Sequence, residues 1–429
     1  MTYIPLLLAA LLTHATGVIE ISGVHEIHEE QKLPDGAQNV EIRGNGAVLK
    51  LAAGFRGRAA LSCHKCKNIT ISGLTIEGNR DTIATRQGLP SYDRTFASFT
   101  IANGILITGS TDIHVHDVKL TGIAGFAILV SRSERVEIEN IRVASSGGLN
   151  SYGRNNTTGG ILVEDGTSNF EVRDSTFRAI RGNGIWTHSR AEAPRNSNGS
   201  ILGNHFEEIG RDAVQVGHGT AVRVANNRGR RIGFPFEMVD AESAGTPVAI
   251  DTAGNVDHSS YVGNHFEEIN GKCIDLDGFH HGSVEENVCI NSGTADAYPH
   301  GHFAIVMNNT NPGMQSESIR ITGNVLDGTK FGGIFLIGSN HYIAHNWMRN
   351  LNKAGCPTNH TKYGCLSFAG EPDILRTGIY FGSRAERPAP AHDNIVIDNH
   401  ISGEGVACLA SAPGIDLKSQ QLAFNQCKP

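Results

Sequence analysis

The heptapeptide Gly-Asn-His-Phe-Glu-Glu-Ile occurs twice, at Gly203–Ile209 and at Gly263–Ile269, with looser copies at Ile321–Asn324, Ala344–Asn346 and Ile397–Asn399. Phrases of the form Gly-Ile-x-Val alternate with them: Gly104–Ile107, Gly160–Val163, Gly184–Thr187, Gly333–Leu336 and Gly378–Phe381. A short strand, a turn marked by Asn and a second short strand, recurring about every 20–30 residues, is the signature of a solenoid. Each coil of such a fold buries its apolar side on its neighbours, so added length adds coils and not cores.

The rest of the composition agrees with that constraint. Gly is abundant at 51 residues, as tight turns between short strands require, and no long helical periodicity interrupts the pattern. No Pro/Ser-rich linker or charge run divides the chain. Residues 18–429 therefore read as one domain.

A net charge of −7 argues against a nucleic-acid partner, which would select a basic stripe. Past the N-terminus, no run is apolar enough to cross a membrane. Ile4–Leu12 has the character of an apolar h-region, and Ala15-Thr16-Gly17 that of a small-residue cleavage site. Residues 1–17 thus read as a secretory signal peptide, although no Lys or Arg precedes the h-region.

Eight cysteines fit a secreted or periplasmic, oxidising destination. Spacing suggests Cys356 with Cys365, Cys408 with Cys427, and Cys273 with Cys289 across neighbouring coils. Cys63-His64-Lys65-Cys66 lacks the second Cys pair that a zinc site would want; it reads as a local disulfide or two buried thiols.

The Asn-x-x-Phe-x-x-Ile and Gly-Ile-x-Val phrases look like two of the three strands of a parallel coil. Asn204, Asn264, Asn324, Asn346 and Asn399 would stack at its turn. From about Ile42 to Asn399 the chain resembles the right-handed parallel β-helix proteins of the pectin-lyase-like superfamily. The resemblance implies an all-β solenoid and a carbohydrate ligand. The superfamily includes pectate lyases, polygalacturonases and other glycoside hydrolases, uronan epimerases and phage tailspikes. Gly217-His218-Gly219 is similar to one polygalacturonase segment, but it precedes the Asp-rich strands, and that family's Asn-Thr-Asp and Asp-Asp segments do not follow. The resemblance narrows the reaction classes without choosing one.

Aligning the strand phrases gives a register, because side chains alternate between faces. Ile161, Ile185, Val214, Ile250, Ile274 and Ile305 form one inward column; Val163, Thr187, Val216, Thr252, Leu276 and Met307 form the other. The outward columns are Leu162, Trp186, Gln215, Asp251, Asp275, Val306 and Glu164, His188, Gly217, Ala253, Asp277, Asn308. Early and late coils then expose bland or apolar residues, with Ile105 and Leu106 in one such phrase and Phe335 and Ile337 in another. The middle coils gather Trp186, His188, Gln215, Asp251, Asp275 and Asp277, with His218, His280 and His281 just past the same strands. Strands spaced about 4.8 Å apart would bring Asp251 and Asp275 close enough for one pKa to rise, unless a cation or a shared proton relieves them.

Long Gly/Ser/Asn/Pro-rich excursions at residues 79–98, 145–159, 190–199, 229–247 and 350–376 would wall a groove over these coils, where binding residues concentrate. Such a groove suits a polymer.

The leading expectation is a glycoside hydrolase that needs no cofactor, monomeric, with Asp251, Asp275 and Asp277 as acid and base. His188, His218 or His280 would tune the protons. Trp186 would stack on a sugar ring, and Gln215, Glu164, His281 and Arg231 would bind substrate. The alternative is a lyase or uronan epimerase, in which the three aspartates hold Ca2+, Gln215 or Asn308 adds ligands, and Lys272 or a histidine is the base. A non-catalytic carbohydrate-binding or surface protein is the third reading. The Glu207-Glu208 and Glu267-Glu268 pairs read as a solvated stripe.

Overall fold

The computed structural model describes residues 16–83, 89–310, 315–365 and 370–428. Most of the expected signal peptide lies outside the described residues. Its packing divides the chain into two compact units, residues 1–211 and 212–429. Each is a stack of parallel coils made of short strands.

In the first unit the strands pair in parallel with those one coil on. One inward column runs Leu61, Ile105, Ile128, Ile161, Ile185. In the second it runs Val214, Ile250, Ile274, Ile305, Ile334, Ile379, Leu409. The inward columns read from the sequence are therefore those of the structure within each unit, and their members are buried except the terminal Leu409, which is half-buried. Neighbouring strands show the alternation that one buried face demands: Thr111–His116 and Glu134–Glu139 each bury a Val/Ile pair and leave polar residues between them.

Gly104, Gly160, Gly333 and Gly378, which open Gly-Ile-x-Val phrases, mark close approaches of coils. A β-carbon on Gly160 would lie 1.8 Å from the carbonyl oxygen of Gly184 one coil on, so no side chain fits.

The turns carry hydrogen-bond ladders. In the second unit Asn227, Asn264, Asn287, Asn324, Asn346, Asn399 and Asn425 stack in order, each side-chain amide donating to the Oδ1 of the next at 2.8–3.0 Å. Each Oδ1 also accepts the backbone N–H of the preceding Asn. In the first unit hydroxyls do the same work: the Ser110 amide donates to Ser133 Oγ, and the Ser133 amide to Thr167 Oγ1.

Two outward surfaces depart from expectation. Leu106, Leu129, Leu162 and Trp186 face out of the first unit's sheet yet are buried, covered by Phe126 and by the short helix Phe96–Phe99, with Phe96 and Ala97 in the same apolar cluster. In the second unit Phe335 and Ile337 are buried too. Phe335 stacks on Tyr380, whose hydroxyl donates to Glu371 at 2.6 Å, and Arg384 donates to the same carboxylate. Apolar side chains on the outer face are thus covered by loops from distant parts of the chain, as the hydrophobic effect requires.

All eight cysteines are paired: Cys63–Cys66, Cys273–Cys289, Cys356–Cys365 and Cys408–Cys427. No helix among the described residues is long and apolar enough to cross a membrane.

Candidate functional site

The residues singled out from the sequence separate into three groups. Gln215, Asp251, Asp275 and Asp277 come together on the outer face of the second unit. Gln215 stands opposite Asp251 and donates its amide to Asp251 Oδ2 at 2.7 Å. The next strand enters in register through Ile250 and Ile274, which places Asp275 on the row beside Asp251. Asp277 follows two residues along the same strand and face, opposite Asn308.

Lys272 completes this group. The amides of Cys273 and Ile274 both donate to Ala304 O, at 3.0 and 2.9 Å, a doubling that breaks strict alternation as a bulge does. Cys273 then reaches Cys289, and Lys272, three residues before Asp275, lands on the aspartate's side and donates to Asp275 Oδ2. Burial pulls the Lys272 pKa down, but Asp275, with Asp251 and Asp212 further off, outweighs that and holds it above the usual lysine value. The ammonium is fixed in its charged form.

The two aspartates of the strand Lys272–Asp277 sit in different electrostatic settings. Asp275 is 8% exposed, paired with Lys272 through one oxygen, while its buried Oδ1 has no hydrogen-bond partner. Asp277 has its pKa raised, by burial first and then by the Asp275 and Glu386 carboxylates. Hydrogen bonds from Thr310 to both its oxygens (2.8 Å from the amide, 2.6 Å from the hydroxyl) oppose the rise.

The second group lies in the first unit. Glu164 is fully buried and accepts the amides of Phe96 and Ala97, both at 2.8 Å, at the start of the helix Phe96–Phe99. Burial pushes its pKa up to about 7, against the pull of those two N–H groups. Trp186 is 7% exposed, edge-on to Phe96 at 5.0 Å and tilted against Phe126 at 6.4 Å. His188 abuts both Phe96 and Trp186. The open stacking face expected of Trp186 and the substrate contact expected of Glu164 are therefore taken up by the covering segment. Register placed both side chains correctly, and nothing in their own phrases reveals what lies on top of them.

The third group is peripheral to the aspartates. His218 stands at the register shift between Gly217 and Gly219, with its ring over Gly254, where a β-carbon would meet it at 2.7 Å. Arg231 lies over the Phe234 ring at 4.7 Å. His280 and His281 contact each other, and His281 Nε2 lies 3.7 Å from Glu317, a partner that the sequence reading did not identify because it comes from the following coil. Thr310 was missed for the same kind of reason: it contacts Asp277 across 33 residues.

A family model described as "Right handed beta helix region" matches residues 59–244. The fold is that of a right-handed parallel β-helix. No curated protein matches the sequence. Among solved structures, the β-helix is similar to the catalytic domain of a GH87 α-1,3-glucanase bound to tetrasaccharides. That match has 12% identity and a TM-score of 0.56, and it covers 95% of this chain but 64% of the glucanase domain. It is also similar to the periplasmic alginate epimerase AlgG, at 12% identity and TM-score 0.53, covering 95% and 78%. PfbA, a surface adhesin of Streptococcus pneumoniae, matches at 14% identity and TM-score 0.50, covering 94% and 84%. At such identities the likeness is one of fold.

Proposed function

We propose that this β-helix is a secreted carbohydrate-active enzyme that hydrolyses a polysaccharide at the aspartate group of its second unit. The observation that carries the reading is the divergent environment of Asp275 and Asp277, two carboxylates on one strand face. In such a pair the carboxyl whose surroundings favour its protonated form is the acid. Asp277, its pKa raised, is the general acid that protonates the leaving oxygen. Asp275, ion-paired with Lys272 and with Oδ1 unengaged, is the base that takes a proton from water.

Residues two apart on a strand stand roughly 6.6 Å apart, within the range of about 6.5–9.5 Å that leaves room for a water between an inverting pair. Asp251, held by Gln215, adds negative charge on the adjoining row. An oxocarbenium-like transition state gains from that charge. The fold neighbours that act on glucan and alginate support a polysaccharide substrate, and four disulfides support an oxidising destination.

Hydrolysis is favoured over calcium-dependent elimination by the donor set. Lys272 takes one oxygen of Asp275, Thr310 both oxygens of Asp277, and Gln215 one of Asp251. Calcium wants six to eight oxygens, and the strongest donors here are engaged by protein cations and N–H or O–H groups. Lys272, held protonated, is also unsuited to act as the base of a lyase.

The test is a panel of neutral and acidic polysaccharides, with and without Ca2+, read for new reducing ends and for absorbance of unsaturated uronates. Hydrolysis predicts reducing ends without absorbance, reduced at least about 100-fold in Asp275→Asn and Asp277→Asn. In the wild type, rate should fall as pH rises past the Asp277 pKa, since the acid must be protonated. Calcium-dependent absorbance would replace the proposal with a lyase. Glycan binding that survives in both variants, with no product from the wild type, would replace it with a binding protein.

A further inference from the structure

The hydrolysis proposed above assigns no step to His280 or His281, and the two are arranged together. Consecutive residues of an extended strand point to opposite faces. His280 ends the strand Phe279–His280, and His281 follows with φ +49°, in the left-handed region. The turn brings both rings to one side, 5.1 Å apart between centroids, with their Nδ1 atoms 2.9 Å from each other. The hydrogen bond between them holds the two imidazoles side by side.

Carboxylates converge on the same spot. Glu317 comes from the next coil, where its carbonyl oxygen accepts the His281 amide at 3.0 Å and its carboxylate lies 3.7 Å from His281 Nε2. One donor atom each from His280, His281 and Glu317 can be chosen so that all lie within 4.8 Å of one another. From the preceding coil, Asp257 pairs with His280 across the strands, and the His258 ring lies parallel to His281 at 5.9 Å. Three successive coils therefore contribute imidazole and carboxylate to one corner.

We propose that this corner binds a divalent transition-metal ion, with zinc as the reference, through His280, His281 and the Glu317 carboxylate. Ligands about 2.0–2.1 Å from a tetrahedral ion stand roughly 3.4 Å apart, inside the 4.8 Å that bounds one donor from each of the three residues. Water takes the fourth position. Imidazole nitrogen suits zinc, copper and nickel and not calcium, which prefers an all-oxygen shell. The ion would tie Glu317's coil to that of the two histidines, and it would stabilise the second unit by mass action on the folded state.

The experiment uses tag-free full-length protein stripped with EDTA. It is titrated with ZnCl2 by calorimetry and melted with and without the metal, with CaCl2 as control. The expected result is one equivalent of zinc bound with micromolar or tighter Kd and a Tm raised by zinc and not by calcium. Affinity should fall at least tenfold in His281→Ala and in Glu317→Gln. His114→Ala should leave it unchanged, since the other His/Glu cluster, His114 with Glu137 and Glu139, is already neutralised by Arg173. Absence of saturable zinc binding by the wild type would overturn the proposal, as would full affinity in the His281 and Glu317 variants. Glu317→Gln keeps the comparison decisive if His281→Ala does not fold. The outcome is independent of glycan hydrolysis, which is read in a separate assay.

Discussion

The carboxylate of Glu164 accepts two amide bonds at the start of a helix while fully buried, and those two facts pull its proton affinity in opposite directions. Burial wins, and the pKa stands at about 7 against an ordinary value near 4.5. The sign of the consequence follows from linkage. Between these values the folded chain keeps a proton that the unfolded chain releases. The contribution to stability is thus fully present below pH 4.5 and is lost as pH rises to about 7. A shift of this size corresponds to about 3 kcal/mol at 1.36 kcal/mol per unit. Urea unfolding at pH 5 and pH 7.5 should show the wild type losing about 2–3 kcal/mol more than Glu164→Gln over that interval, whatever constant cost the variant carries for its weakened helix contact. Parallel pH profiles would sink this account. The position of Glu164 was legible in the strand register. Its partner, a helix 67–68 residues upstream, was not, because no local pattern says where a long excursion folds back.

The Asn ladder makes a statement about elements that no single pair of strands would support. Asn324 is fully buried. Its side chain donates to Asn346 Oδ1 and to Val284 O, and its Oδ1 accepts from the amide and side chain of Asn287. Truncation to Ala leaves buried donors and acceptors unpaired at about 1–3 kcal/mol each. Asn324→Ala should therefore lose about 3 kcal/mol in equilibrium unfolding, and Ser133→Ala in the hydroxyl ladder about 1 kcal/mol. Hydrogen exchange gives a sharper test. The Asn287 amide, which donates to the Asn324 side chain, should lose protection, whereas the amide of residue 324, which donates to Asn346, should keep it. Equal loss at both would mean the coil unfolds locally and that the ladder is not the reason. Asn264, Asn324, Asn346 and Asn399 announced the ladder from recurring phrases. Asn227, Asn287 and Asn425 did not, since their flanking residues diverge, and Ser110 and Ser133 fill the same position with a residue too common to signal anything.

At the scale of the whole molecule, what repeats could be read and what does not repeat could not. Inward columns such as Ile250–Ile274–Ile305 follow from a period and a parity, so aligning phrases recovers them. Lys272 reaches Asp275 through a local doubling of hydrogen bonds at Ala304, and Thr310 and Glu317 both arrive from the following coil; none of these has a periodic signal. Disulfides are likewise non-periodic, and their distribution gives each unit its own response to reduction. Cys63–Cys66 in residues 1–211 spans three residues, whereas in residues 212–429 Cys273–Cys289, Cys356–Cys365 and Cys408–Cys427 span 16, 9 and 19. In the chain-entropy model a closure of 15–20 residues stabilises by about 3 kcal/mol and one of three residues by about half that. Reduction under native conditions should accordingly raise amide exchange across residues 273–289 and 408–427 while leaving the coils of residues 100–200 nearly unchanged. Mass spectrometry of exchange with and without a phosphine reductant measures this directly. A uniform rise along the chain would show that the cross-links act on global unfolding. No rise at the two larger closures would show that the inward columns and the Asn ladder hold those coils without them.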